Sequence, residues 1–148
     1  MHHRPKRAAL FFLGFLVIAV AAVWAVRPAR AEAPAAEPIS VVAKLVEIPI
    51  KLPPDDLYDY AFVMKYVVEG GPLDKQTILV AHYKPRQPRS KIKESHTSGK
   101  LRTFRVGDTH KLKLTADLQK VWKGALIDEY AATDRKSVRY WCLEANPS

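Results

Sequence analysis

The sequence predicts a small, mostly β domain, an antiparallel barrel or sandwich with one short helix, set behind an N-terminal apolar segment. Three observations carry this. Tyr58–Tyr83 holds two runs rich in β-branched and aromatic residues around Gly70-Gly71-Pro72, which reads as a hairpin. Several further short runs alternate apolar and polar residues between turn-forming clusters, and a single stretch, Ala116–Tyr130, repeats at helical spacing. The 148 residues bound the answer to one domain of modest core.

Arg4, Lys6 and Arg7 precede an unbroken apolar run, Ala8–Val26, and Ala29-Arg30-Ala31 offers the small-x-small pattern of a signal-peptidase site. Residues 1–31 are therefore expected to be a signal peptide or a membrane anchor. The run would span about 28 Å as a helix, close to a hydrocarbon core, so cleavage after Ala31 and retention as an anchor both stay open. Either way the remainder is expected outside the cytoplasm, in the periplasm or at the cell surface. Residues 32–38, Glu-Ala-Pro-Ala-Ala-Glu-Pro, form a spacer, and the domain is expected over 39–148.

Within it, Val41–Leu52 predicts a strand that Pro49 confines to an edge or breaks in two. Pro53-Pro54-Asp55-Asp56 ends it. Tyr58–Glu69 alternates with apolar residues on both faces, which predicts a central strand, and Thr77–Tyr83 is its partner. Lys84–Lys100 carries two more prolines and reads as a long, mobile polar loop. Leu101–Val106 and His110–Leu114 predict a second hairpin about Gly107-Asp108. In Ala116–Tyr130 the residues Leu118, Val121, Trp122, Ala125 and Leu126 share a helical face, which Gly124 weakens. Val138–Leu143 is a closing strand. Five or six short strands and one helix suggest an OB-like (oligonucleotide/oligosaccharide-binding) or netrin-like barrel.

The formal charge of +9 falls to +4 once the five cations of residues 1–31 are set aside. Eight cations, Lys84, Arg86, Arg89, Lys91, Lys93, Lys100, Arg102 and Arg105, stand against one anion, Glu94, between residues 84 and 105, so the remainder is negative. These eight are the candidate ligand-binding residues. A concentrated basic segment attracts anions and steers encounter, and outside the cytoplasm the available partners are uronate polymers, headgroups and acidic proteins, with nucleic acid excluded by address. The competing reading is a solvated loop.

No catalytic signature is present: the sequence has no Gly-x-Ser-x-Gly elbow, His-Glu-x-x-His, phosphate-binding Gly-rich loop, dinucleotide fingerprint or Cys-x-x-Cys pair. Gly107-Asp108-Thr109 reads as a turn. His82, His96 and His110 lack local metal-ligand spacing, so neither a catalytic residue, a metal nor a cofactor is expected. Asp55, Asp56 and Asp59 fit a turn before a strand better than a cation site. Trp122, Tyr130, Tyr140 and Trp141 offer a sugar-stacking platform or, more often, close a small core. The lone Cys142 reads as a buried thiol.

Tyr58-Asp59-Tyr60-Ala61-x-Val63-Met64-Lys65-Tyr66, then Ile78-Leu79-Val80-Ala81-His82-Tyr83, then Val106-Gly107-Asp108 before Leu112-x-Leu114, resembles small exported bacterial proteins that accompany alginate-type polysaccharide O-acetylation systems. The resemblance covers roughly residues 45–114. It implies an envelope accessory protein with a barrel-like fold; the basic segment makes an anionic polysaccharide or an envelope protein the expected partner. The Ser, Asp and His set of the acetyltransferases is not matched. The expected function is a non-enzymatic binding module acting through the basic loop, with a histidine-dependent hydrolase or transferase subunit, or a purely structural membrane-tethered domain, as the alternatives.

Overall fold

Alternation of apolar side chains decides the architecture, because each long strand sends one set of residues inward and the other outward. The computed structural model describes residues 36–55, 58–93 and 96–148. They fall in one compact unit, Ala33–Ser148. The leader expected over 1–31, Asp56 and Glu94 lie outside the described residues. Among the described residues no helix is long and apolar enough to cross a membrane.

Seven strands form one mixed sheet: β1 (Ile39–Glu47), β2 (Tyr60–Val68), β3 (Thr77–Tyr83), β4 (Ser98–Gly99), β5 (Thr109–Thr115), β6 (Ala125–Ile127) and β7 (Arg139–Pro147), with one helical turn, α1 (Leu118–Val121). The order is β1-β5-β7-β3-β2-β6, and β1 also pairs with β2, so five strands form a ring that closes over part of its height. The sheet is mixed, where the sequence suggested a mostly antiparallel barrel or sandwich. β7 lies parallel to β3, β6 parallel to β2 and β4 parallel to β7.

The hairpin of β2 and β3 pairs from Ala61↔Tyr83 to Val67↔Thr77. Its turn uses Gly70 and Gly71 at φ +88° and +71°, where side-chained residues are strained. β2 is central, with Tyr60, Phe62, Met64, Tyr66 and Val68 in the cluster inside the ring and Ala61 and Val63 in a second cluster outside it. β1 stops at Glu47, two residues before Pro49. A register shift between Leu45 and Glu47 parts it from β2 there and leaves Tyr60–Phe62 free to accept β6.

Two expected elements differ. Leu101–Val106 is not a strand, and β5 pairs instead with β1 and β7. Leu101 and Phe104 turn inward to join the inner cluster while Arg102, Thr103 and Arg105 stay exposed, so the segment closes one end of the ring. Ala116–Tyr130 holds only α1, because the chain must then extend to reach β2. The outer cluster built around Leu118, Tyr130 and Trp141 wins over helical spacing. Residues 116–138 thereby cover the outer face of β2 and β3. Tyr130 Oη donates to Glu47 at 2.8 Å, and Arg139 Nε meets Asp128 at 2.8 Å, which ties this cover down.

Candidate functional site

The basic segment starts where β3 ends and runs to β5. Both of these ends, the end of β1 and the start of β2 lie at the same end of the ring, so loops 48–59 and 84–108 emerge together. The polar loop over 84–100, expected to be mobile, is hydrogen-bonded at Arg89 and at Lys100 among its described residues. Arg89 N donates to Leu101 O at 2.8 Å, and the amides of Lys100 and Leu101 both reach Ala145 O, at 3.1 and 3.0 Å. Gly99 sits so close to Ala145 O that a Cβ would come within 2.1 Å, and its φ of +118° suits glycine alone.

Two of the eight candidate cations are not free to bind. Arg89 is 2% exposed, and its guanidinium donates to three carbonyls, Tyr83 O at 2.7 Å, Lys84 O at 2.6 Å and Gln87 O at 2.9 Å. Burial pulls its pKa down to about 10, so it stays charged at neutral pH. It is a structural pin. The bend it holds includes Lys84 at φ +35°, a conformation that costs a side-chained residue about 1 kcal/mol. Lys84 in turn is 2.5 Å from Asp59, and this bond holds the Asp59 carboxyl below its usual range. Arg86, Lys91, Lys93, Lys100, Arg102 and Arg105 are exposed and form no ion pair among the described residues.

Lys44, Lys111 and Lys113, which composition alone left unremarked, stand exposed on the outer side of β1 and β5. Lys111 and Lys113 line an open groove of about 300 Å³ together with Ser40, Val42, Glu144 and Asn146. The signal was the alternation Lys111-Leu112-Lys113-Leu114.

Inside the ring lies a polar cluster that the sequence did not announce. Tyr66 Oη is 3.1 Å from His82 Nε2 and 3.3 Å from His110 Nδ1. The phenol has one proton, so it donates to one imidazole and accepts from the other. Whichever way it turns, His82 Nδ1 and His110 Nε2 are left without a partner among the described residues, one as donor and one as acceptor. Phe104 packs on both rings, at 4.4 Å from His82 and edge-on at 5.8 Å from His110, and Arg89 lies over Phe104 at 5.3 Å. Burial, then the charge of Arg89, then His110 hold His82 well below the usual imidazole pKa, and burial lowers His110 too. Both are neutral at pH 7.

His96 does not join them; its carbonyl accepts from Trp141 Nε1 at 2.7 Å. Among the described residues no three His, Cys, Asp or Glu side chains converge as metal ligands. Asp55 accepts from Tyr60 Oη at 3.2 Å, a turn role. The aromatics close a core: Trp122 stacks on Trp141 at 5.4 Å, and Gly124 lies against its benzo ring, where a Cβ would come within 2.5 Å. Cys142 is a buried free thiol pushed up to about 12 by burial. No family model, curated protein or solved structure matches the chain.

Proposed function

We propose that the chain is a non-enzymatic binding module of the cell envelope, built on an OB-type barrel, that engages anionic ligands through the cation-bearing loops at one end. The reading is carried by one observation: Arg86, Lys91, Lys93, Lys100, Arg102 and Arg105 all project from a segment that is itself pinned, with no carboxylate pairing them among the described residues. Fixed cations without partners bind anions with less ordering cost than those on a floppy loop. The ring order β1-β2-β3-β7-β5 and back to β1, with a parallel β3–β7 contact, supports the OB-type reading. Such barrels bind ligands on their second and third strands. Here residues 116–138 cover that face, which moves the proposed contact to the loops.

The histidine-dependent alternative is disfavoured by geometry, since His82 and His110 are each 1% exposed and spend a ring nitrogen on Tyr66. Export by way of Ala8–Val26 and association with polysaccharide O-acetylation are part of the proposal. To test it, replace Arg86, Lys91, Lys93 and Arg102 with Gln and measure binding to a uronate polymer and to anionic vesicles at two ionic strengths. Four exposed cations at a few tenths of a kcal/mol each predict about tenfold weaker binding with unchanged stability, and a steep loss with salt in the parent. Binding that survives the replacements, or no polyanion binding at low salt, overturns the reading.

A further inference from the structure

Five large apolar side chains are markedly exposed among the described residues, and three of them, Ile50 at 44%, Tyr58 at 48% and Val106 at 57%, stand on the loops that leave the cation-bearing end. Their exposure follows from how those loops are held. Ile48 and Leu52 pack on the inner cluster, whereas Ile50, at a bend between them, is exposed. Gly107 N donates to Leu45 O at 2.7 Å and Leu45 N to Asp108 O at 2.9 Å, which sets the Val106 turn beside the end of β1, a few residues from Ile50. Tyr58 leans on Tyr60 at the start of β2, with ring centroids 5.8 Å apart.

Loops 48–59 and 84–108 together carry nine cations against five anions. Of the acids described there, Asp59 is paired with Lys84, while Asp55 and Asp108 form no ion pair among the described residues, so cations still outnumber anions on these loops. Exposed apolar side chains on the same loops as arginines that form no ion pair among the described residues fit a bilayer boundary, where apolar groups enter the headgroup region and cations meet phosphate. A polysaccharide would reward the cations and leave Ile50 and Val106 in water.

We infer that this end of the domain docks on an anionic lipid surface, with Ile50, Tyr58 and Val106 entering the headgroup boundary while Arg86, Arg102 and Arg105 contact phosphate. The inference rests on the polyanion reading above and names its partner.

The test is hydrogen exchange on the full chain bound to bilayers of phosphatidylcholine with and without phosphatidylglycerol, so that any anchoring by Ala8–Val26 is common to both arms. Amides of 48–59 and 101–108 are expected to exchange about tenfold slower on the phosphatidylglycerol bilayer, as several arginines near an anionic surface imply. The triple variant Ile50→Ser, Tyr58→Ser, Val106→Ser should lose that protection yet bind uronate polymer as the parent does, because none of the three contributes charge. Equal exchange on both bilayers, or protection that survives the triple variant, overturns the lipid inference. Retained polymer binding would then leave the broader proposal standing, whereas absence of all polyanion binding would sink both.

Discussion

Tyr66→Phe is the sharpest probe of the interior. The substitution removes one oxygen atom and keeps the ring, so the packing of Tyr66 against its neighbours is nearly preserved. The hydroxyl, however, is the partner of both His82 Nε2 and His110 Nδ1, and Tyr66 is fully buried. Two ring nitrogens would be stranded in addition to the two that already lack partners. A buried polar group left unsatisfied costs about 1–3 kcal/mol, so the expected loss is about 3 kcal/mol. For a domain of this size that is a fall in Tm of about 10–20 °C. Urea titration followed by tryptophan fluorescence measures it, with Tyr58→Phe on the exposed loop as a control expected to change little. Replacing both histidines with Leu in the Tyr66→Phe background should recover part of the loss, because apolar partners of similar size remove the stranded groups. A loss under about 0.5 kcal/mol for Tyr66→Phe would show that the hydroxyl is not bridging the imidazoles and would refute the network.

The same cluster makes stability fall in mild acid. Both imidazoles are depressed in the folded state and ordinary in the unfolded chain, so the unfolded state binds more protons below about pH 6.5 and stability declines as pH drops through that value. The loss should be seen as a shift in the urea midpoint between pH 7 and 5, with His82 as the larger contributor, and a flat profile over that window would contradict it. Arg89→Gln should destabilise by about 3 kcal/mol because Tyr83 O, Lys84 O and Gln87 O lose their donor, while Arg102→Gln stays within about 0.5 kcal/mol. Equal small changes for the two arginines in the same titration would return Arg89 to the surface.

The fold was legible where one physical signal dominated. β2 and its turn follow from apolar alternation and two glycines, and the end of β1 from a proline that cannot donate to a ladder. The signal failed where two chemistries competed for the same residues. Leu101–Val106 alternates partially, but Leu101 and Phe104 are worth more as the closure of an open ring end than as rungs of a ladder, so the segment leaves the sheet. In Ala116–Tyr130 helical spacing reflects a real apolar face, yet that face must reach from α1 to Trp141 and Tyr130 across the outside of the sheet. A single helix turn followed by an extended strand spans this better. The parallel β3–β7 contact is long-range and leaves no local trace in the sequence.

Charge density was readable, but the use of each charge was not. Lys-Pro-Arg-Gln-Pro-Arg gives no reason to separate Arg86 from Arg89, since both follow a proline closely and both are cations. What separates them is the conformation of the chain between. The bend after β3 turns three carbonyls toward Arg89, whose planar guanidinium bonds all three through Nη1 and Nη2. The histidines were likewise visible as residues, but nothing local in the sequence brings them together. Their meeting on Tyr66 depends on β2, β3 and β5 closing around one interior, a contact spanning 44 residues for His110. The segment thus divides its cations between two tasks: Arg89, buried over Phe104, fixes the loop, and that fixed loop holds Arg86, Arg102 and Arg105 outward. If so, loss of Arg89 should weaken polyanion binding even under conditions where the domain remains folded, by restoring the ordering cost that the pinned loop avoids.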